Sequence, residues 1–149
     1  MNDINNPLCE VAQNLENVTE KIKISLSAAN RPPDATTLVA VSKLQSVDKI
    51  EVALKNGQRS FGENRIQEAS QKWPSLKRNY SSVKLHLIGP LQTNKVKEAV
   101  SLFDVIETVD RPKLASEIKK QLIKQDIEIT CYVQVNTGEE SQKAGIFPS

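Results

Sequence analysis

Apolar residues fall at steps of three and four over the first stretch of the chain, at Leu8, Val11, Ala12, Leu15, Val18, Ile22 and Leu26. This is the spacing of one face of an amphipathic helix, expected over about residues 8–29. Arg31-Pro32-Pro33-Asp34 ends it, because proline offers the helix no backbone donor. The pattern then switches. Residues 36–42 are β-branched and almost wholly apolar, as in a strand covered on both faces, and Lys43 follows at once.

The alternation then repeats. Ser46 is placed to cap a helix bearing Val47, Ile50 and Leu54, and Asn56-Gly57 offers it a left-handed exit. A strand is expected at 59–62, then a helix at about 64–73 that Pro74 stops. Residues 84–88 read as a third strand, followed by a helix capped by Thr93 or Asn94 and carrying Val96, Ala99, Val100 and Phe103. A fourth strand at 104–109 leads through Asp110, Arg111 and Pro112 into a helix striped by Leu114, Ile118 and Leu122, and 127–135 reads as a fifth strand.

Such alternation calls for right-handed crossovers and a parallel sheet, so the expectation is an α/β fold in a single domain over residues 1–149. Residues 136–145 resemble the start of a further loop and helix. A (β/α)8 barrel takes about 250 residues, whereas a five-stranded doubly wound sheet fits in about 150. Periodicity alone does not choose between an intact open sheet and part of a barrel.

Composition narrows the functional classes. Lys and Arg number 20 against 18 Asp and Glu, a net charge of +2 that is evenly mixed along the chain, and aromatic residues make up 4%. Neither an electrostatic footprint for nucleic acid nor a base-stacking platform is expected. No run approaches a membrane span, and the first ten residues lack the features of a secretory signal, which points to the cytoplasm. Cys9 and Cys131 lie far apart, with no Cys or His at metal-ligand spacing, and read as reduced thiols.

In parallel α/β folds reactive groups collect where strands end. Four polar clusters stand at such ends: Ser42-Lys43, Phe61-Gly62-Glu63-Asn64, the segment from His86 through Gly89-Pro90-Leu91-Gln92 to Asn94-Lys95, and Val135-Asn136-Thr137-Gly138. A lysine at the mouth of a buried strand is partly desolvated, which favours the amine able to attack an aldehyde; the plainer reading is a solvated strand-end lysine. His86, between Leu85 and Leu87, reads as a hydrogen-bonded core histidine or as a site residue. Asn64 either faces the cavity or caps the following helix. The motifs of dinucleotide, nucleoside triphosphate, serine hydrolase and metalloprotease sites are absent from the sequence. Glu139-Glu140 reads as a solvated loop, and Lys119, Lys120 and Lys124 as the outer face of a helix.

Taken together, Ala40-Val41-Ser42-Lys43, Phe61-Gly62-Glu63-Asn64 with Gln67-Glu68, His86-Leu87-Ile88-Gly89-Pro90-Leu91-Gln92 with Asn94-Lys95, and Val135-Asn136 with Lys143 and Gly145 resemble the pyridoxal-phosphate homeostasis protein family. The resemblance runs from about Val11 to the last residue. It implies a (β/α)8 TIM-barrel-type fold similar to the alanine racemase N-terminal domain, with about the first five βα units present.

It further implies a carrier that holds pyridoxal 5′-phosphate as an aldimine on Lys43, with Asn64, His86 and Asn136 as further cofactor-binding residues and with pyridoxal-phosphate-dependent apo-enzymes as recipients. Arg65 stands where the family often has tyrosine. Family members continue for roughly 80 residues, through three further βα units that furnish most of the phosphate cup. A barrel without them is expected to expose two sheet edges and to self-associate. Two other readings stay open: a racemase-like enzyme using the same lysine, and a shortened chain that binds no cofactor.

Overall fold

The computed structural model describes residues 7–148. In chain order its elements are α1 (Pro7–Ala28), β1 (Ala40–Val41), α2 (Val47–Lys55), β2 (Ser60–Glu63), α3 (Ile66–Asn79), β3 (Lys84–Leu87), a 3-10 turn (Thr93–Lys95) leading into α4 (Val96–Leu102), β4 (Val105–Val109), α5 (Pro112–Gln125) and β5 (Thr130–Val133). The five strands form one sheet in the order β1-β2-β3-β4-β5, every pair parallel.

That order resolves what periodicity left open. A doubly wound sheet reverses its strand order at a switch point and so receives helices on both faces. Here each strand lies beside its neighbour in sequence, and right-handed crossovers that never reverse put all the helices on one side. This is the wall of a (β/α)8 barrel, five strands wide. On the helical side, Phe61, Leu85, Leu87 and Ile106 of the sheet pack with Ile50, Leu54, Trp73, Leu76, Val96 and Leu114 into the hydrophobic core. The other side is concave and uncovered.

Several expectations are corrected. The first strand shrinks from residues 36–42 to Ala40–Val41. In place of a longer ladder, the Gln58 side-chain amide donates to the carbonyls of Leu38 (2.7 Å) and Ser60 (2.6 Å). Nor is this strand covered on both faces, because a singly wound sheet carries helices on one side only; Val41 is 51% exposed. The fifth strand contracts to four residues, all exposed, and beyond it Val135 makes an isolated parallel bridge with Ile146.

Pro74 does not end its helix: α3 runs on to Asn79. An interior proline costs roughly 3 kcal/mol through the lost hydrogen bond and the ring clash. Burial of Trp73 and Leu76, both at most 1% exposed, offsets that at about 1.5–3 kcal/mol for each such side chain. The capping expectations also change. Ser46 occupies the N-cap of α2 without a side-chain hydrogen bond to it, and the N-cap of α3 is Arg65 rather than Asn64. No helix among the described residues is long and apolar enough to cross a membrane. Cys9 and Cys131 are both free.

Candidate functional site

β1 delivers Lys43 to the carboxyl end of the sheet. Just before it, the buried Ser42 extends the ladder by donating its N–H to the Gly62 carbonyl (2.9 Å), and its hydroxyl reaches Glu63 Oε1 (2.7 Å). Ser42 points into the helical layer, and Lys43 stands in the turn that follows, which the Gln45 N–H closes by donating to the Ser42 carbonyl (3.1 Å). Lys43 is exposed, and its ammonium makes no ion pair among the described residues. The desolvation expected of a lysine at a strand mouth is therefore absent, because Lys43 stands in an exposed turn.

Val41 pairs with Gly62, and Lys43 and Asn64 each stand two residues further on, in the turn that follows β1 and the bend that follows β2. The β2–β3 ladder runs one step past Leu87, where Ile88 donates its N–H to the Glu63 carbonyl (3.0 Å). Asn64 is half-buried and lines an open cavity of about 480 Å³ with Arg65, Gln67, Pro90, Gln92 and Lys95. With Arg65 at the N-cap, the capping role for Asn64 falls away. Gly89 allows the loop after β3 to close over Asn64: a Cβ at this position would lie 2.2 Å from the Asn64 carbonyl oxygen. Thr108 Oγ1 holds the same loop by donating to the Gly89 carbonyl (2.8 Å).

His86 stands deeper. Its row is that of Gly62 and Val105, two residues short of Ile88 and thus about 6.6 Å toward the strand starts. It belongs to the concave face and not to the helix-side core. Its Nδ1 lies 2.7 Å from Glu107 Oε1, and its buried Nε2 has no partner. His86 and Glu107 line an open hollow of about 620 Å³ with Arg59, Lys84, Val105 and Tyr132.

Asn136 is buried, but its amide is spent on its own loop. Nδ2 donates to the Glu140 carbonyl (2.8 Å) and, at longer range, to that of Lys143 (3.4 Å), while Oδ1 accepts from the Glu140 N–H (3.3 Å). Gly145, at φ +119°, closes the loop where a Cβ would meet the Asn136 nitrogen at 2.7 Å. The structure thus sets Lys43 and Asn64 just after the neighbouring strands β1 and β2, His86 within β3, and Asn136 in the loop after β5.

Beneath Lys43 lies a buried ionic network that the sequence reading passed over. Glu63, fully buried, accepts from Ser42 Oγ, from Trp73 Nε1 (3.1 Å) and from Lys72 Nζ (2.8 Å), all at Oε1; its Oε2 is buried without a partner. Lys72 also donates to Glu68 Oε1 (2.8 Å) and to the Ser42 carbonyl (3.1 Å). Burial disfavours the Lys72 ammonium, but hydrogen bonds and attraction from Glu63 and Glu68 outweigh it and hold its pKa above the ordinary lysine value. The Lys72 hydrogen bond holds the Glu68 carboxyl below the usual carboxylate range, with help from the Leu44 N–H, against a smaller opposing effect of burial. The i, i+4 spacing of Glu68 and Lys72 was the one signal in the sequence for this pair. No cluster of His, Cys, Asp and Glu among the described residues could hold a metal ion.

Comparison with known proteins bears on the family and the fold. Residues 13–149 match the family described as alanine racemase, N-terminal domain. A protein named pyridoxal phosphate homeostasis protein from Pasteurella multocida is 35% identical over 139 residues, covering 93% of this chain and 60% of that protein. Its namesake in Escherichia coli K12 is 34% identical over 138 residues, covering 92% and 59%. The chain thus spans about three fifths of the length of these relatives. Among solved structures, PipY of Synechococcus elongatus with PLP bound superposes with a TM-score of 0.72 at 30% identity, covering 91% of this chain and 57% of PipY. An alanine racemase of Clostridium difficile, at 11% identity and a TM-score of 0.67, covers 93% of this chain and 33% of the enzyme and shares the fold alone. By its sequence match and its sequentially wound parallel sheet, the chain belongs to the alanine racemase N-terminal domain family.

Proposed function

We propose that this chain supplies the amine end of a pyridoxal 5′-phosphate site, in a cytoplasmic protein that stores the cofactor and passes it to apo-enzymes. The observation that carries this reading is the position of Lys43: exposed, free of ion pairs among the described residues, and in the turn at the carboxyl end of β1. Pyridoxal phosphate would supply an aldehyde carbon open to attack by a primary amine. Lys43 fits that demand because no carboxylate competes for its nitrogen. Asn64 and the His86–Glu107 pair offer polar groups along the same concave wall, while Asn136 shapes the loop opposite.

The relatives' name and the PLP held by PipY support the same reading. Under it, pyridoxal-phosphate-dependent apo-enzymes are the recipients, and a second copy can associate at the exposed β5 edge. Incubation with pyridoxal phosphate, borohydride reduction and peptide mass mapping test the proposal. The expected outcome is one dominant label on Lys43 that disappears in Lys43→Ala. Label spread evenly over the lysines would overturn it, and amino-acid racemisation above the Lys43→Ala background would replace storage with catalysis.

A further inference from the structure

Leu44, next to Lys43, has a left-handed backbone, φ +60°. An apolar, branched residue disfavours that conformation. Packing does not impose it, because Leu44 is 84% exposed. Two hydrogen bonds hold it: the Gln45 N–H donates to the Ser42 carbonyl at 3.1 Å and closes a turn that has Leu44 at its third position, and the Leu44 N–H donates to Glu68 Oε1 at 2.6 Å. Glu68 is itself fixed from α3, since the same oxygen accepts from Lys72 Nζ at 2.8 Å.

The residue on the other side of Lys43 is tied by the same group. Lys72 donates to the Ser42 carbonyl at 3.1 Å, Ser42 Oγ reaches Glu63 Oε1 at 2.7 Å, and the Ser42 N–H stays in the ladder to Gly62. Both neighbours of Lys43 are therefore anchored to β2 and α3, while its own side chain is left untied. We infer that Glu68, held in place by Lys72, is a positioning residue for Lys43: it locks Leu44 in the left-handed turn and so fixes the direction in which the Lys43 side chain leaves the strand. The inference rests on the reading of Lys43 as the amine that captures pyridoxal phosphate.

Without the Glu68 carboxylate, Leu44 relaxes toward an extended or right-handed conformation and the strand end swings with it. Glycine adopts φ +60° at no steric cost, so Leu44→Gly can restore the turn without restoring the hydrogen bond. A merely structural role for Glu68 would not be rescued in this way.

The test compares the parent chain with Glu68→Ala, Leu44→Gly and the double variant, each checked for parental circular dichroism. Glu68→Gln stands in should Glu68→Ala fail to fold. Two readouts are taken: hydrogen exchange at the Leu44 amide, and the rate of borohydride-trapped pyridoxal phosphate labelling at Lys43 relative to the other lysines. In Glu68→Ala, exchange is expected to rise and Lys43 labelling to fall, each about tenfold, as loss of one charge-assisted hydrogen bond implies. In the double variant labelling returns while exchange stays fast. A labelled parent whose Glu68→Ala variant labels Lys43 equally well overturns the inference alone, as does a double variant no better than Glu68→Ala. A parent that takes no label on Lys43 overturns the function on which the inference rests.

Discussion

Trp73 shows how much a single side chain carries in this fold. It is fully buried, its indole N–H supplies one of the three donors to Glu63, and its ring meets that of Phe61 at 4.9 Å between centroids. Trp73→Ala is expected to cost about 3–5 kcal/mol in urea unfolding; a loss below 1 kcal/mol would mean the indole does not anchor this layer. Glu68 gives a prediction in pH. Its folded pKa lies below the unfolded value of roughly 4.3, so its stabilisation is present above that value and disappears as pH falls through the folded one. Lys72 is the mirror case: with a raised pKa, its contribution holds below the unfolded value of about 10.4 and is lost as pH rises through the folded one. The gap in urea midpoint between the parent and Glu68→Gln should therefore be widest near neutrality and close below about pH 4; a gap that persists unchanged at pH 3 would contradict the assignment. At this scale the strand end before Lys43 was legible, because an apolar run leads up to it. Lys72 was not, because a charged residue on a helix reads as solvated until the packing shows it 8% exposed between two carboxylates.

At the scale of elements, α3 is the informative case. The sequence places a stop at Pro74, and local propensity supports that stop; the tertiary burial of Trp73 and Leu76 on either side overrides it. Pro74 itself is exposed, so Pro74→Ala removes a helix penalty of roughly 3 kcal/mol while giving the unfolded chain back about 0.4–1 kcal/mol of freedom. A net stabilisation of about 2 kcal/mol, read as a higher Tm, is expected; a lower Tm would show that the proline ring makes a contact worth keeping. Strand existence was legible from β-branched runs, but strand length was not. Pairing partners set length: residues 36–39 have none in the main ladder, and after Val133 only the Gln134 N–H still reaches β4, at the Val109 carbonyl, before Val135 bridges to Ile146.

At the scale of the molecule, the sequence carried the alternation of strand and helix but not the order of strands, since a doubly wound sheet and a barrel wall share the same period. Strand pairing decided it, and pairing is long-range. The same order leaves β5 as an edge with Tyr132 and Val133 more than half exposed, at 57% and 59%. Edges of this kind pair with other chains unless charged. The chain is therefore expected to show concentration-dependent self-association by light scattering, and Val133→Lys to reduce it; a strictly monomeric parent would contradict this. The winding order also bears on biosynthesis. Every strand finds its partner in the segment made just before it, so none must wait for distant sequence to leave the ribosome. Loop-closure costs stay small at each step, and the wall can be laid course by course at the pace of translation.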